Sequence, residues 1–374
     1  MTRPEDATPT KHPPRKAPQR VQKVDVGGAD KLVMRKGREE RVANGYPWVF
    51  SGEVYQVPPP EMDGQIMPVE DARGRLLGLG MINTKSNIVL RVLTRQREPV
   101  DRDFFKRRLT EAIAYRERYA KLDPSPNAGY RLIHAEADGL PALIVDRYGS
   151  FLVVQALALG IAERMPMIVE LLAELTGCKG IYERSDVLVR NLEGLPQATG
   201  VLYGEAPPAD LVIEEHGSKF RVDVATGQKT GFFLDQRLNR QRVRELARGR
   251  VLNTFCYTGG FSIAAALGGA EEVVSVDISA DAIALAEENA RLNGVEAKCT
   301  WQAANAFDAL REYEKAGEKF DVVILDPPAF TKNKDSVPGA VRGYKEINLR
   351  ALRLLNPGGL LVTSSCSHHI SPAL

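Results

Sequence analysis

Between Lys31 and about Thr94, short apolar runs recur at near-regular intervals: Leu32-Val33-Met34, Trp48-Val49-Phe50, Gln65-Ile66-Met67-Pro68-Val69, Leu76-Leu77-Gly78-Leu79-Gly80 and Ile88-Val89-Leu90-Arg91-Val92-Leu93. Runs too short for helices and separated by turn residues predict the strands of a small β-barrel. The pattern breaks at residues 95–99. Asp101 then opens a predicted helix in which Phe105, Leu109, Ile113 and Tyr115 fall close to one face. Residues 130–205 read as mixed. Leu143-Ile144-Val145 and Phe151-Leu152-Val153-Val154 predict strands joined by a turn at Tyr148-Gly149. Residues 168–175 predict a helix stopped by Gly177, and Gly180-Ile181-Tyr182 predicts another strand. Residues 211–223 predict a hairpin turning at His216-Gly217.

From about Arg250 the pattern changes to a regular alternation of strand and helix. Strand-like 250–255 leads to helical 261–267, and strand-like 272–277 to a helix over 281–293. That helix has apolar contacts at Ala282, Leu285, Ala286 and Leu292 and is stopped by Gly294. Segments 297–302, 305–315, 320–326, 341–355 and 359–365 continue the series. Such alternation builds an α/β domain, a parallel sheet covered on both faces that binds ligands at the carboxyl ends of its strands.

At 374 residues the chain has room for two or three domains. With 44% apolar and 26% charged residues it is neither disordered throughout, collagen-like nor a disulfide mini-protein. It contains no apolar run of membrane-spanning length and begins without a secretory signal, so a cytoplasmic address is expected. Cys178, Cys256, Cys299 and Cys366 lie far apart with no CxxC pair, and are expected as reduced thiols with no metal site. Charge is nearly balanced, 50 basic residues against 48 acidic, but residues 1–23 carry six Lys or Arg against two acids, interleaved with five prolines. Residues 1–29 therefore read as a flexible basic arm, either a solvated tail or an attractor of phosphates.

Candidate chemistry gathers at the predicted strand ends. The turn Asn253-Thr254-Phe255-Cys256-Tyr257-Thr258-Gly259-Gly260 opens a helix, and the next strand ends at Asp277. Glycines there let backbone approach a ligand, and an acid one unit later can accept from ribose hydroxyls. The turn has neither GxGxxG spacing nor a Walker lysine after Gly260, which weighs against hydride transfer and ATP hydrolysis. Asp326-Pro327-Pro328-Ala329-Phe330 and Ser364-Ser365-Cys366-Ser367-His368-His369 fall on the same sheet edge.

The order of Thr258-Gly259-Gly260, Asp277, Asn305, Asp326-Pro327-Pro328 and Cys366 resembles a class I S-adenosylmethionine (SAM)-dependent methyltransferase. The further segments Thr230-Gly231-Phe232-Phe233-Leu234-Asp235-Gln236-Arg237, Glu136-Ala137-Asp138-Gly139-Leu140-Pro141 and Val145-Asp146-Arg147-Tyr148 make about residues 30–374 similar to the bacterial ribosomal RNA large-subunit methyltransferase I family. That family methylates carbon 5 of a cytosine in 23S ribosomal RNA. The resemblance implies a PUA-like RNA-binding barrel over 30–98, a central α+β domain over 99–210 and a Rossmann-like methyltransferase domain over 211–374. It also implies SAM as cofactor, a large-subunit assembly particle or its RNA as partner, and a homodimer.

Carried over residue by residue, the pattern puts Asp277 on the cofactor ribose, the backbone from Tyr257 through Thr258 to Gly259 at its methionine part, and Asn305 at its adenine. Phe232, Phe233 and Gln228 come near the cofactor by resemblance alone. Asn305 reads equally as the N-cap of the helix that follows. Cys366 is the expected nucleophile, because carbon 5 of cytosine becomes enamine-like only after a thiolate adds to carbon 6. Cys256, inside the cofactor turn, is expected to be wall or core. Asp326 is expected beside both cofactor and base, as the acid facing cytosine N3, with Pro327, Pro328 and Phe330 shaping the base pocket. Asp-Pro-Pro-aromatic also resembles the loop of amino-methyltransferases, so the motif leaves the methylated atom open. The cysteine that many RNA cytosine-5 methyltransferases carry after this proline is absent here, and His368 and His369 read as structural or solvent-facing. Lys36 and Arg38 of the barrel and Arg237 are candidate RNA contacts, with Arg240, Arg244 and Arg248 following at helical spacing. The chain ends at Leu374, right after the fifth strand, where the family fold continues, and is expected to be a truncated version. The rival readings are a SAM-dependent N-methyltransferase acting on a guanine or adenine, and a ribosome-associated RNA-binding protein without catalysis.

Overall fold

The computed structural model describes residues 31–118, 125–331 and 333–371, so the basic arm lies outside the described residues. The chain divides into two compact units, Met1–Arg97 and Glu98–Leu374.

In the first unit, β1 (Leu32–Val33), α1 (Glu40–Ala43), β2 (Trp48–Phe50), β3 (Ile66–Glu70), β4 (Leu76–Ile82) and β5 (Ile88–Thr94) follow one another. The strands form a sheet in the order β1-β3-β4-β5-β2. Its two edges meet. Met34 bridges Val54, the Arg35 N–H donates to the Glu53 carbonyl at 2.7 Å, and the Tyr55 N–H donates to the Val33 carbonyl at 3.0 Å. The sheet thus closes into the expected barrel around Leu32, Met34, Val49, Met67 and Leu90.

The second unit opens with α2 (Arg102–Arg118), where Asp101 Oδ1 accepts the N–H groups of Asp103 and Phe104. Its buried stripe runs through Phe105, Leu109, Ala112 and Arg116, leaving Tyr115 exposed against expectation. Tyr115 lies off that i, i+4, i+7, i+11 progression, and Arg116 occupies the core side by pairing with both oxygens of Asp138 at 2.6 and 2.7 Å. Next come β6 (Gly129–His134), β7 (Leu143–Tyr148), β8 (Phe151–Ala156), α3 (Leu159–Thr176), β9 (Gly180–Ser185) and β10 (Ala198–Gly204), in sheet order β10-β9-β8-β7-β6. Helix α3 starts at Leu159 rather than residue 168 and continues through Pro166. Burial of Ile161, Met165, Ile168 and Leu172 along one face offsets the hydrogen bond that proline removes.

The hairpin of β11 (Val212–Glu215) and β12 (Ser218–Arg221) turns at His216 and Gly217, both with positive φ, as a two-residue turn between twisted strands requires. The remaining elements are α4 (Arg237–Leu246), β13 (Gly249–Thr254), α5 (Gly260–Gly268), β14 (Ala270–Asp277), α6 (Ala280–Leu292), β15 (Cys299–Ala303), α7 (Ala306–Ala316), β16 (Phe320–Leu325), α8 (Val337–Leu354) and β17 (Leu355–Thr363). The strands pair in parallel in the order β15-β14-β13-β16-β17. Val251, Val273 and Val322 point to one face, and Leu252, Val274 and Val323 to the other, so both faces are packed. On α6, Leu292 is exposed and Ile283 and Ala290 are buried instead. The first of these cores runs on into Tyr148, Phe151, Val153, Phe220 and Phe232. The boundary expected at 210/211 thus crosses a continuous core, which lets the central sheet act on the loops of the parallel one.

Candidate active site

Strand order reverses at β13, with β14 on one side and β16 on the other, and the crevice at such a point is where α/β sheets bind ligands. The turn leaving β13 is held in a costly conformation, with φ of 60° at Phe255, 48° at Tyr257 and 83° at Gly259. Asp277, at the end of β14, clamps it: Oδ2 accepts the Tyr257 N–H at 2.8 Å, while Oδ1 accepts the Ser279 N–H at 3.0 Å. Each oxygen keeps acceptor capacity for a ligand's hydroxyls. Gly259 is not at the cavity wall. A Cβ there would lie 2.8 Å from the Trp301 ring and 3.1 Å from the Ala286 Cβ, so the positive φ and the packing behind the turn both require glycine.

A cavity of about 450 Å³ opens at these strand ends. Of the residues expected at the cofactor, Phe232, Tyr257, Thr258, Asp277 and Asn305 line it, and Gln228 and Phe233 join them. Asp326, Pro327, Pro328, Phe330 and Cys366 line the same cavity. Arg237 does not, and Lys36 and Arg38 are exposed in the other unit. The lining suits a nucleoside with a charged tail. Ile278 presents an apolar side chain 74% exposed at the wall, Asp277 supplies acceptors, and the buried Thr258 Oγ1 has no protein partner among the described residues. Asn305 is also a helix cap, its Oδ1 accepting the Phe307 N–H at 2.9 Å.

The TGFFLDQR segment forms another wall and is anchored from the central sheet. Arg131 pairs with Asp146 at 2.8 and 2.9 Å, and Thr230 donates to Asp146 at 2.6 Å. The Tyr148 hydroxyl lies 2.8 Å from Thr230 Oγ1 and accepts the Phe232 N–H at 3.1 Å. Lys229 pairs with Asp235 and sits 4.4 Å from the Phe233 ring centroid, and Phe233 packs edge-on against Tyr257. Arg240 is not available to RNA: it is buried, donates twice to Glu215 at 2.6 Å, and lies over the Phe232 ring. Arg244 and Arg248 donate to the carbonyls of His216 and Gly358. Burial of one face of α4 decided the role of Arg240, which spacing along the helix does not distinguish from a solvated arginine stripe; Arg248 lies beyond the helix and is exposed.

At the far wall, Asp326 accepts from Gln236 Nε2 at 3.3 and 3.2 Å and from Ser364 Oγ at 2.8 Å. Burial, aided by the nearby Asp235 charge, raises its pKa above the ordinary carboxylate value against the opposing pull of Ser364, Lys229 and Arg240. Cys366 is exposed, and its thiol faces the Pro327 carbonyl at 3.7 Å. Cys256 is buried and its thiol pKa is pushed well up by desolvation and then by Asp277, which fits an inert wall residue. Ser367 ties the turn after β17 to the loop after β16, its Oγ accepting the Phe330 N–H at 3.0 Å and lying 2.9 Å from the Tyr344 hydroxyl. The His368 and His369 rings lie 5.2 Å apart and neither lines the cavity. Sequence reading assigned no role to Gln236, Ser364 or Ile278, and it grouped Arg240 with the candidate RNA contacts. Gln236 sits inside segment 230–237 and Ser364 opens segment 364–369, and that placement is the one clue it offered.

Comparison with known proteins matches a sequence model described as S-adenosylmethionine-dependent methyltransferase to residues 151–374, and one described as PUA-like domain to residues 32–95. Ribosomal RNA large subunit methyltransferase I of Erwinia tasmaniensis is 45% identical over 340 residues, covering 90% of this chain and 85% of that protein. The Aeromonas hydrophila protein of the same name is 47% identical over 340 residues, with the same coverage. Among solved structures, a Streptococcus mutans chain assigned as a SAM-dependent methyltransferase matches with a TM-score of 0.76 at 24% identity, over 92% of this chain and 87% of that one. Another methyltransferase, complexed with SAH, matches with a TM-score of 0.77 at 24% identity and the same coverage. These two structures share the fold.

Proposed function

The chain belongs to the ribosomal RNA large subunit methyltransferase I family, with a PUA-like domain and a SAM-dependent methyltransferase domain, and on that premise we propose that it methylates carbon 5 of a cytosine in 23S ribosomal RNA through a Cys366 adduct. The observation that carries this reading is the exposed Cys366 thiol lining the same cavity as the half-buried Asp326 carboxyl.

SAM, held by Asp277, Tyr257, Thr258, Phe232 and Asn305, supplies an electrophilic methyl group. The Cys366 thiolate adds to carbon 6 of the base, and the electron pair displaced through the ring is received at N3 as Asp326 delivers its proton there. Carbon 5 is then nucleophilic enough to take the methyl group. Loss of the carbon 5 proton to solvent re-forms the carbon 5–carbon 6 double bond and expels the thiolate, and the N3 proton returns to the Asp326 carboxylate. Pro327 and Pro328 hold the Asp326 loop stiff, and Phe330, backed by Tyr344 with ring centroids 4.5 Å apart, offers a face for an unstacked base. We assign phosphate contacts to Lys36, Arg38 and Arg237, and the resemblance further supports the division 30–98, 99–210 and 211–374, the last two sharing one core, a homodimer and a cytoplasmic setting.

The test is incubation with radiolabelled SAM and undermodified 23S RNA, followed by nucleoside analysis, for the natural sequence and for Cys366→Ala. Label in 5-methylcytosine that disappears with Cys366→Ala is the expected result. Label in a methylated guanine or adenine that survives Cys366→Ala would replace this reading with the amino-methyltransferase one, which the Asp-Pro-Pro-Ala-Phe loop also fits.

A further inference from the structure

Asp326 is gripped from two elements. Gln236, just before α4, aims its amide nitrogen at both carboxylate oxygens, 3.3 Å from Oδ1 and 3.2 Å from Oδ2. The other end of that amide is engaged, Oε1 accepting from Asn239 Nδ2 at 2.5 Å. From the turn after β17, Ser364 Oγ lies 2.8 Å from Oδ1 and 3.5 Å from the Leu325 carbonyl, so its single proton goes to Oδ1. Both Gln236 and Asp326 line the cavity.

We propose that Gln236 and Ser364 are positioning residues that set the rotamer of Asp326 and the oxygen on which it carries its proton. Ser364 donates to Oδ1, which leaves the acid's own proton on Oδ2. Gln236 bridges the two oxygens from the side and stops the carboxyl group from rotating to exchange them. The acid then offers a hydroxyl donor and a carbonyl acceptor in fixed order, matching a base edge that carries a ring-nitrogen acceptor beside an amino donor. This matching rests on the cytosine reading above. The charged and titratable groups around Asp326 are Asp235 and Lys229 from the preceding loop, Arg240 from α4 and Cys366 beyond β17. None of them donates a hydrogen bond to the carboxyl among the described residues.

The test compares the natural sequence, Gln236→Met and Ser364→Ala in two readouts. The first is the carboxyl titration of Asp326 in protein labelled with carboxyl-¹³C aspartate, the resonance being identified by its loss in Asp326→Asn. Each substitution removes a donor to the ionised form and should move the midpoint up by about one unit. The second readout is kcat together with SAM affinity by calorimetry. Turnover should fall at least about tenfold although the acid form is more populated, because its orientation is lost, while SAM affinity is unchanged. Midpoints that coincide with the natural sequence in both variants would overturn the proposal, as would unchanged turnover in both. The titration needs no RNA, so absence of 5-methylcytosine from the natural enzyme would sink the cytosine reading and leave the positioning of Asp326 to be decided by the midpoints.

Discussion

Replacing Tyr148 by Phe removes one oxygen from the interior and nothing else. Thr230 gives its hydroxyl proton to the Asp146 carboxylate, which can only accept, so the Tyr148 hydroxyl donates to Thr230 and accepts the Phe232 N–H. Burial and the Asp146 charge hold the phenol pKa far above its ordinary value, so it keeps its proton throughout the working range. With Phe at this position the buried Phe232 N–H loses its acceptor, at about 1–3 kcal/mol, and Thr230 loses a donor, for a total near 2–3 kcal/mol. At about 2–4 °C per kcal/mol for a large domain, the melting temperature should fall by roughly 4–12 °C. Phe232 lines the cavity, so SAM affinity measured by calorimetry well below the melting range should weaken as well. The double variant Tyr148→Phe/Thr230→Val should cost less than the two single changes added, because both break one chain of bonds. A melting temperature within a degree of the natural sequence, or strict additivity, would refute the view that this network anchors the cofactor wall.

Other expectations follow from the same geometry. Because the folded pKa of Asp326 lies above its unfolded value and the proposed mechanism uses the acid form, kcat should fall as pH rises through that raised value. Asp235→Asn should move this limb to lower pH by removing a charge that raises it, and a fixed or upward-shifted limb would contradict the assignment. By linkage, the stability associated with Asp326 is present below the unfolded pKa and lost as pH rises through the folded one, so Asp326→Asn should melt higher than the natural sequence at neutral pH. Gly259→Ala combines a positive φ with a Cβ 2.8 Å from the Trp301 ring, and should lose about 2–4 kcal/mol of stability in denaturant titration together with measurable SAM binding; retention of both would show that the turn relaxes freely.

The parallel sheet was legible in the sequence because each strand and helix announces itself locally. Alternating periods, Gly177, Gly294 and the His216-Gly217 turn mark elements whatever surrounds them, and in a parallel sheet all strand ends share one edge. That is why Asp277, Asp326 and Cys366 could be placed on one edge from order alone. Local pattern also misled where burial overrode it, as with α3 continuing through Pro166, Tyr115 turned outward and Leu292 exposed. Pairings between distant residues were not legible. Tyr148 meets Thr230 across 82 positions, Gln236 meets Asp326 across 90, and Arg240 meets Glu215 across 25. Period and turn chemistry set which side chains share a face of one element. Which faces then meet depends on how elements pack, and in a close-packed interior that is decided by the shape of every neighbour at once. The sequence by itself therefore determined the run of strands and helices, the glycine turn after β13, and the placing of Asp277, Asp326 and Cys366 at one sheet edge. The tertiary structure alone decided that Arg240 is a buried strut, that Gly259 packs against Trp301, and that Asp326 has two hydrogen-bonding partners.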